Sequence, residues 1–219
     1  LRIIEAGELQ KVTLVQALRA SFAAHAGRTA LATGERDISY AELDAITDRF
    51  AAALVALGLR PLDRVLFQSA NCPELVFALV GCLKAGLLPV CTLAAHRELE
   101  IEYLGCHVDA RAHFVQGNDP RFDLDGFALK MRERIPTMRH VVSFLGEARE
   151  GVLRLEDLVA AQDAAAARAV VDALPADPFQ VAVFQLSGGT TGVPKVIPRL
   201  HNDYLLNATR GIEVMGFGP

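Results

Sequence analysis

The sequence predicts an α/β fold in which a largely parallel sheet is flanked by helices. Apolar runs of strand length alternate with stretches of helical periodicity between residues 14 and 145. Repeated strand and helix units of this length produce parallel strands with helices on both faces of the sheet. The chain has 219 residues, of which 52% are apolar, and a globular chain of that length buries about 70% of its unfolded surface. The core is therefore large enough for such a sheet.

The individual elements follow from periodicity and turn residues. Residues 14–26 have the apolar spacing of a helix, and residues 31–38 indicate a short β pair around Gly34. Residues 40–57 indicate a long amphipathic helix that ends at Gly58. Strands are then predicted at residues 64–68, 87–92, 112–116 and 140–145, and helices at residues 73–84, 98–107 and 122–134.

The chain is predicted to contain one lobe, a linker and the start of a second lobe. Residues 1–159 form the first α/β lobe, and the alanine- and proline-rich residues 160–178 form a surface helix and linker. Residues 179–219 begin the second lobe with a strand at residues 181–186, a hairpin and a helix. Asn202 or Asp203 is the expected N-cap of that helix. This last segment is expected to be less ordered than the first lobe unless it docks there.

The most informative motif is the run of residues 186–195. It contains the three glycines Gly188, Gly189 and Gly192, the three hydroxyls of Ser187, Thr190 and Thr191, and Lys195. Glycines allow several backbone N–H groups to converge on one anion, while hydroxyls and an ammonium group add donors and charge. No glycine is followed by Gly-Lys at Walker A spacing, which disfavours a P-loop NTPase. A plain turn would explain the glycines, but not the adjacent threonines or the Pro-Lys exit.

Several segments together carry a family resemblance. The loop and its continuation through residues 196–204 resemble the phosphate-loop signature of the adenylate-forming superfamily, which contains acyl- and aryl-CoA ligases and adenylation domains. The double glycine resembles the aryl-acid branch of 2,3-dihydroxybenzoate-AMP ligases. Residues 40–43 and 85–90 resemble two further family segments, whereas Ala94-Ala95 departs from the aryl pattern. The resemblance spans nearly the whole chain and implies the N-terminal lobe of the adenylate-forming fold.

The resemblance also implies a nucleotide site on this loop. Ser187, Thr190 and Thr191 are expected to hydrogen-bond the β- and γ-phosphates of ATP, and the amides of Gly188, Gly189 and Gly192 to complete the cradle. Lys195 is expected near the departing pyrophosphate, and Thr190 near a Mg²⁺ ion. ATP and Mg²⁺ are therefore the implied cofactors.

The implied reaction is attack of an aromatic carboxylate, of the 2,3-dihydroxybenzoate or salicylate type, on the α-phosphorus of ATP. It gives an acyl-adenylate and pyrophosphate, and the acyl group then passes to the phosphopantetheine thiol of CoA or of an aryl carrier protein. The family's Tyr-Gly-x-Thr-Glu motif does not occur in this sequence. The resemblance therefore implies the N-terminal portion of a longer ligase, with no catalytic residue of its own and no activity alone.

Two alternatives stay open at the level of sequence. The departure at Ala94-Ala95 is compatible with an acyl-CoA synthetase for a non-aromatic acid. A non-enzymatic nucleotide-binding module that ends at Pro219 would also contain the loop. The two enzymatic interpretations predict a longer protein, whereas the third predicts tight ATP binding by this chain alone.

Composition and spacing disfavour several other classes of protein. The net charge is −4, and no basic stripe with interleaved aromatic residues points to a nucleic-acid partner. Residues 75–90 form the most apolar stretch, but Gly81, Lys84, Gly86 and Pro89 interrupt it before the roughly 18 residues that a membrane span requires. The four cysteines form no Cys-x-x-Cys pair. A cytoplasmic enzyme is the resulting expectation.

Overall fold

The computed structural model describes residues 10–187 and 194–216. It begins with helix α1 (Leu14–Ala24), the antiparallel pair β1 (Thr29–Ala32) and β2 (Asp37–Ser39), and helix α2 (Tyr40–Ala56). The hydroxyl of Thr13 accepts a hydrogen bond from the Gln16 amide, and the Gln16 side chain accepts one from the Thr13 amide. This capping box satisfies two donors at the start of α1 that the helix itself leaves unpaired.

The remaining elements alternate as predicted. They are β3 (Arg64–Gln68), α3 (Pro73–Lys84), β4 (Leu88–Cys91), α4 (Glu98–His107), β5 (Ala110–Gln116), α5 (Leu124–Arg134), β6 (His140–Phe144), β7 (Leu153–Arg154), α6 (Leu155–Ala160), α7 (Ala164–Asp172), β8 (Val181–Leu186), β9 (Val196–Leu200) and α8 (His201–Met215). The predicted strands and helices agree with these bounds to within two residues. The short elements β7 and α6 were not predicted.

Seven strands form one sheet in the order β7-β6-β5-β3-β4-β8-β9. All neighbouring strands are parallel except β8 and β9, which are antiparallel. On β3, Val65 and Phe67 join a core that also contains Phe50 of α2 and Ala78 of α3. Leu66 points to the opposite core, which α4 and α5 cover. The predicted α/β class with a largely parallel sheet is confirmed.

A network of ion pairs connects four helices beside the first core. Lys84 of α3 has a fully buried side chain, and its ammonium lies 2.7 Å from an oxygen of Asp48 on α2. Arg168 of α7 contacts Asp48 at 3.0 Å and Asp44 at 2.8 Å, and Arg19 of α1 also pairs with Asp48. Burial raises the pKa of Asp44, but hydrogen bonds from Lys84 and Arg168 outweigh it and lower that pKa. The Asp44 carboxylate therefore stays ionised between its basic partners.

The alanine-rich segment contains the expected helix, α7, but this helix is docked on α2. Ala167 is 1% exposed and Val171 is 6% exposed, so one face of α7 is buried. Asp163 caps the helix by accepting a hydrogen bond from the Ala166 amide at 2.9 Å. The placement of a lobe boundary at residues 160–178 stays a prediction.

The hairpin of β8 and β9 docks on the first lobe, which is the alternative that the sequence analysis left open. β8 lies beside β4, with Phe184 opposite Val90. The predicted N-cap of α8 at Asn202 or Asp203 is wrong, because Leu200 occupies the N-cap position and α8 begins at His201. The amides of His201 and Asn202 donate to the carbonyls of Gln180 and Pro178 instead. Main-chain acceptors thus replace a side-chain cap.

Among the helices of the described residues, none is long and apolar enough to cross a membrane.

Candidate phosphate-binding site

The glycine-rich loop leaves the sheet at the carboxyl end of β8. Because β8 runs parallel to β4, this end lies at the same edge of the sheet as the carboxyl ends of the other parallel strands. Ligands of α/β sheets bind outside that edge. The topology therefore places the loop where the sequence analysis expected a ligand site.

Two of the seven predicted phosphate-binding residues, Ser187 and Lys195, belong to the described part of the chain. The other five, Gly188, Gly189, Thr190, Thr191 and Gly192, lie outside the described residues. Their predicted contacts with ATP, and that of Thr190 with Mg²⁺, stay predictions.

Two hydrogen bonds close the mouth of the loop, where its two ends meet. The Ser187 amide donates to the Lys195 carbonyl at 3.0 Å, and the Lys195 amide donates to the Ser187 Oγ at 3.2 Å. The Ser187 hydroxyl accepts in this contact, so its own proton is free to donate to an anion. Lys195 is exposed, and its ammonium forms no ion pair with the described residues. The two residues at the loop mouth therefore carry a hydroxyl donor and a cation that forms no ion pair with the described residues.

Glutamines lie at the carboxyl ends of three strands at this edge. Gln68 is the last residue of β3, Gln116 is the last of β5, and Gln185 is the last but one of β8. The Gln68 side chain donates to the His96 carbonyl at 2.7 Å, and the Gln116 side chain accepts from the Ala70 amide at 3.1 Å. The Gln68 and Gln116 amides thus each connect one strand end to a neighbouring loop. The sequence analysis did not predict a role for these glutamines. The signal that could have indicated one is a glutamine at the end of an apolar segment.

Arg199 on β9 is the next arginine or lysine along the chain after Lys195, but its charge is already paired. Its Nε donates to an oxygen of Asp203 at 2.7 Å. This hydrogen bond, together with the charge of Asp203, raises the pKa of Arg199 above its ordinary value. Of the two basic side chains, Lys195 is therefore the one available to an anion.

The comparisons with known proteins agree on one family. The family model described as "AMP-binding enzyme" matches residues 18–218. The chain is 36% identical to the 2,3-dihydroxybenzoate-AMP ligase of Bacillus subtilis, over 90% of this chain and 35% of that protein. It is 40% identical to the salicyl-AMP ligase / salicyl-S-ArCP synthetase of Mycobacterium tuberculosis, over 80% of this chain and 30% of that protein.

A solved structure supports the same assignment. The apo structure of MbtA from Mycobacterium smegmatis has a TM-score of 0.88 and 34% identity, covering 99% of this chain and 39% of that one. The chain thus spans about a third of the length of the relatives that it matches. With the family model covering almost the whole sequence and the fold superimposing on a solved relative, the chain belongs to the family of AMP-binding enzymes.

Proposed function

We propose that the protein to which this chain belongs is an ATP-dependent ligase that activates an aromatic carboxylic acid as its acyl-adenylate. The observation that carries this proposal is the loop mouth at the carboxyl edge of the sheet, where Ser187 and the unpaired Lys195 meet. Relatives named as ligases of 2,3-dihydroxybenzoate and salicylate support the aromatic class of acid. We propose a cytoplasmic location for this enzyme.

In the proposed reaction, a carboxylate oxygen attacks the α-phosphorus of ATP. The bond between the α-phosphorus and the bridging oxygen breaks, and that oxygen leaves as part of pyrophosphate. Nucleotidyl transfer of this kind depends on positioning and charge neutralisation. Ser187 and Lys195 fit a polyphosphate, because one supplies a hydroxyl donor and the other an exposed cation, on two residues that are hydrogen-bonded to each other.

The five predicted binding residues that lie outside the described part of the chain complete the proposed site. Thr190 and Thr191 hydrogen-bond the β- and γ-phosphates, and the amides of Gly188, Gly189 and Gly192 cradle them. Mg²⁺ takes phosphate oxygens and water as most of its ligands in nucleotide sites. Thr190 is the residue of this chain that we propose beside the ion.

The acceptor in the proposed second step is a phosphopantetheine thiol. The thiolate sulfur attacks the acyl carbon of the adenylate, AMP leaves, and a thioester forms. The name of the mycobacterial relative joins a salicyl-AMP ligase to a salicyl-S-ArCP synthetase, while a structural relative is named an anthranilate CoA ligase. We therefore propose that the acceptor is either CoA or an aryl carrier protein.

The test is acid-dependent exchange of labelled pyrophosphate into ATP by the full-length protein. The acids are 2,3-dihydroxybenzoate, salicylate, benzoate, cyclohexanecarboxylate and octanoate, and the 219-residue chain serves as control. We expect exchange with at least one hydroxylated aromatic acid and none from the control. Exchange with only the non-aromatic acids would instead assign an acyl-CoA synthetase, the alternative that Ala94-Ala95 favours. Absence of exchange with every acid would reject the ligase.

A further inference from the structure

The residues that follow the loop form a side-chain network with the strand that precedes it. Arg199 of β9 donates from Nη1 to the Gln185 Oε1 at 3.1 Å and from Nε to Asp203 of α8 at 2.7 Å. The Gln185 Nε2 donates to the Tyr204 Oη at 3.3 Å, and the Arg199 guanidinium lies 5.4 Å from the centre of the Tyr204 ring. We call Gln185, Arg199, Asp203 and Tyr204 the loop-base network.

The loop-base network joins three elements close to the loop mouth. Gln185 lies on β8, two residues before Ser187, which follows the end of that strand. Arg199 follows Lys195 by four residues and lies on the strand that carries the chain away from the loop. Both ends of the Gln185 amide have partners, one on β9 and one on α8. The orientation of Gln185 is therefore fixed from both sides.

The charges of the network indicate a positioning role for Arg199. Asp203 neutralises the guanidinium, and the aromatic ring of Tyr204 packs close to it. Both interactions hold an arginine in place. The Lys195 ammonium, in contrast, forms no ion pair with the described residues. The two basic groups near the loop thus have different surroundings, since Arg199 is partly buried and paired, whereas Lys195 is exposed at the mouth.

We infer that the loop-base network sets the separation of the two loop ends and thereby positions the Ser187 and Lys195 donors for a polyphosphate. This inference rests on the proposed function only for the identity of the anion as ATP. Loss of the network shifts the loop mouth and weakens binding of the triphosphate, and the site of the carboxylic acid keeps its affinity. Arg199, Gln185 and Tyr204 are positioning residues, since they act through Ser187 and Lys195.

The test uses the full-length protein with the variants Arg199→Met, Arg199→Lys, Gln185→Leu and Gln185→Glu. Arg36→Met is the matched control, because Arg36 forms an exposed ion pair with Glu42 elsewhere on the fold. In pyrophosphate exchange, we expect Arg199→Met and Gln185→Leu to raise the KM for ATP by about tenfold, which corresponds to about 1.4 kcal/mol of lost binding free energy. The KM for the acid should change less than about twofold. Gln185→Glu keeps an acceptor for Arg199 and should restore much of the affinity.

A second readout does not depend on ligase activity. Trypsin cleaves after Lys195, and the Lys195–Val196 bond lies between the loop mouth and the start of β9. We expect Arg199→Met and Gln185→Leu to accelerate cleavage at this bond relative to Arg36→Met, as followed by mass spectrometry under native conditions. If the unmodified protein supports no exchange with any acid, the proposed function fails, and the cleavage rates still decide the inference.

Two results would overturn the inference. One is cleavage at Lys195 in both network variants at the rate of the Arg36→Met control. The other is an equal rise in the KM values for ATP and acid, or a loss of kcat with neither KM changed. A merely structural contribution lowers the amount of folded enzyme and leaves the ratio of the two KM values unchanged.

Discussion

Lys84 shows how a charged residue is accommodated inside this fold. Its side chain is fully buried, and its ammonium pairs with Asp44 and Asp48. Replacing Lys84 with Met removes the cation but leaves two carboxylates that keep only Arg168 and Arg19 as partners. Removing one member of a buried ion pair costs about 3–5 kcal/mol. We expect Lys84→Met to lower the free energy of unfolding by about 3 kcal/mol in urea denaturation.

Lys130→Met is the matched control for this prediction. Lys130 pairs with Glu98 on the surface, where both side chains are about half exposed. Exposed pairs contribute about 0–1 kcal/mol. Equal losses in the two variants would show that the buried network around Lys84 contributes no more than a surface pair.

His113 makes stability depend on pH. It is fully buried on β5, neither ring nitrogen has a hydrogen-bond partner among the described residues, and burial lowers the pKa of His113 to about 3. In the unfolded chain the pKa returns to about 6.5, so only the unfolded state takes up the proton between these values. Stability is therefore lost as the pH falls below about 6.5, by about 2 kcal/mol between pH 7 and pH 5 for this group.

The variant His113→Leu isolates that contribution. It removes the titrating group and fills the site with a side chain of similar size. We expect the loss of unfolding free energy between pH 7 and pH 5, measured by urea denaturation, to shrink by about 2 kcal/mol. An unchanged pH dependence would contradict the low pKa of His113.

The sequence predicted the residues of the loop but not the side chains that support it. Glycines, hydroxyls and a lysine form a local pattern, and such a pattern is visible in sequence order. Gln185 and Tyr204 lie 19 residues apart and meet only because β9 returns beside β8 and leads into α8. The two hydrogen bonds between Ser187 and Lys195 likewise depend on the hairpin register. Contacts of this kind follow from tertiary structure.

Gly81 lies where helices α3 and α2 pack closely together. A Cβ at this position would lie 2.7 Å from the Cδ1 and 3.2 Å from the Cβ of Phe50, which is fully buried. Overpacking of a core costs about 1–3 kcal/mol, which exceeds the gain of up to about 1 kcal/mol from helix propensity. We expect Gly81→Ala to lower the free energy of unfolding by about 1 kcal/mol or more.

Gly211→Ala should have the opposite sign. Gly211 lies inside α8, and a Cβ there would meet nothing within 4 Å. The remaining effect is the higher helix propensity of alanine over glycine. We therefore expect this variant to stabilise the protein by up to about 1 kcal/mol in the same denaturation experiment. A stabilising Gly81→Ala would show that Phe50 moves aside at little cost.

Long periodic elements were predictable, whereas short ones and some helix starts were not. A strand such as β3 has five residues of apolar pattern, but the two residues of β7 carry no periodicity. Asn202 has the composition of an N-cap, yet it is buried within the first turn of α8. Carbonyls from residues 178 and 180 satisfy the amides there. The sequence rules for helix N-caps consider neighbouring side chains only. They do not include main-chain carbonyls that tertiary structure places beside the first turn of a helix.

The number of paired residues between neighbouring strands differs across the width of the sheet. β3 and β5 are paired along five positions, from Arg64 to Gln68, whereas β8 is registered to β4 at Val90 and Phe184. In the part of the chain that the structure describes, β9 forms the edge of the sheet beyond β8, and α8 follows it. The end of α8 exposes large apolar side chains, including Val214 at 87% and Met215 at 69%. The loop-bearing hairpin therefore joins the rest of the sheet through fewer registered residue pairs than β3 and β5 share.

This unevenness predicts two levels of local stability in the 219-residue chain. Segments with little buried apolar contact open at lower free energy than the central strands. We expect the amides of β8, β9 and α8 to exchange with deuterium faster than those of β3 and β5 in native-state hydrogen exchange followed by mass spectrometry. Low concentrations of urea should accelerate exchange in the hairpin before they affect the central strands. Uniform protection across β3, β5 and β8 would instead show that the hairpin unfolds only with the whole sheet, and that the Val90–Phe184 junction is as strong as the central pairing.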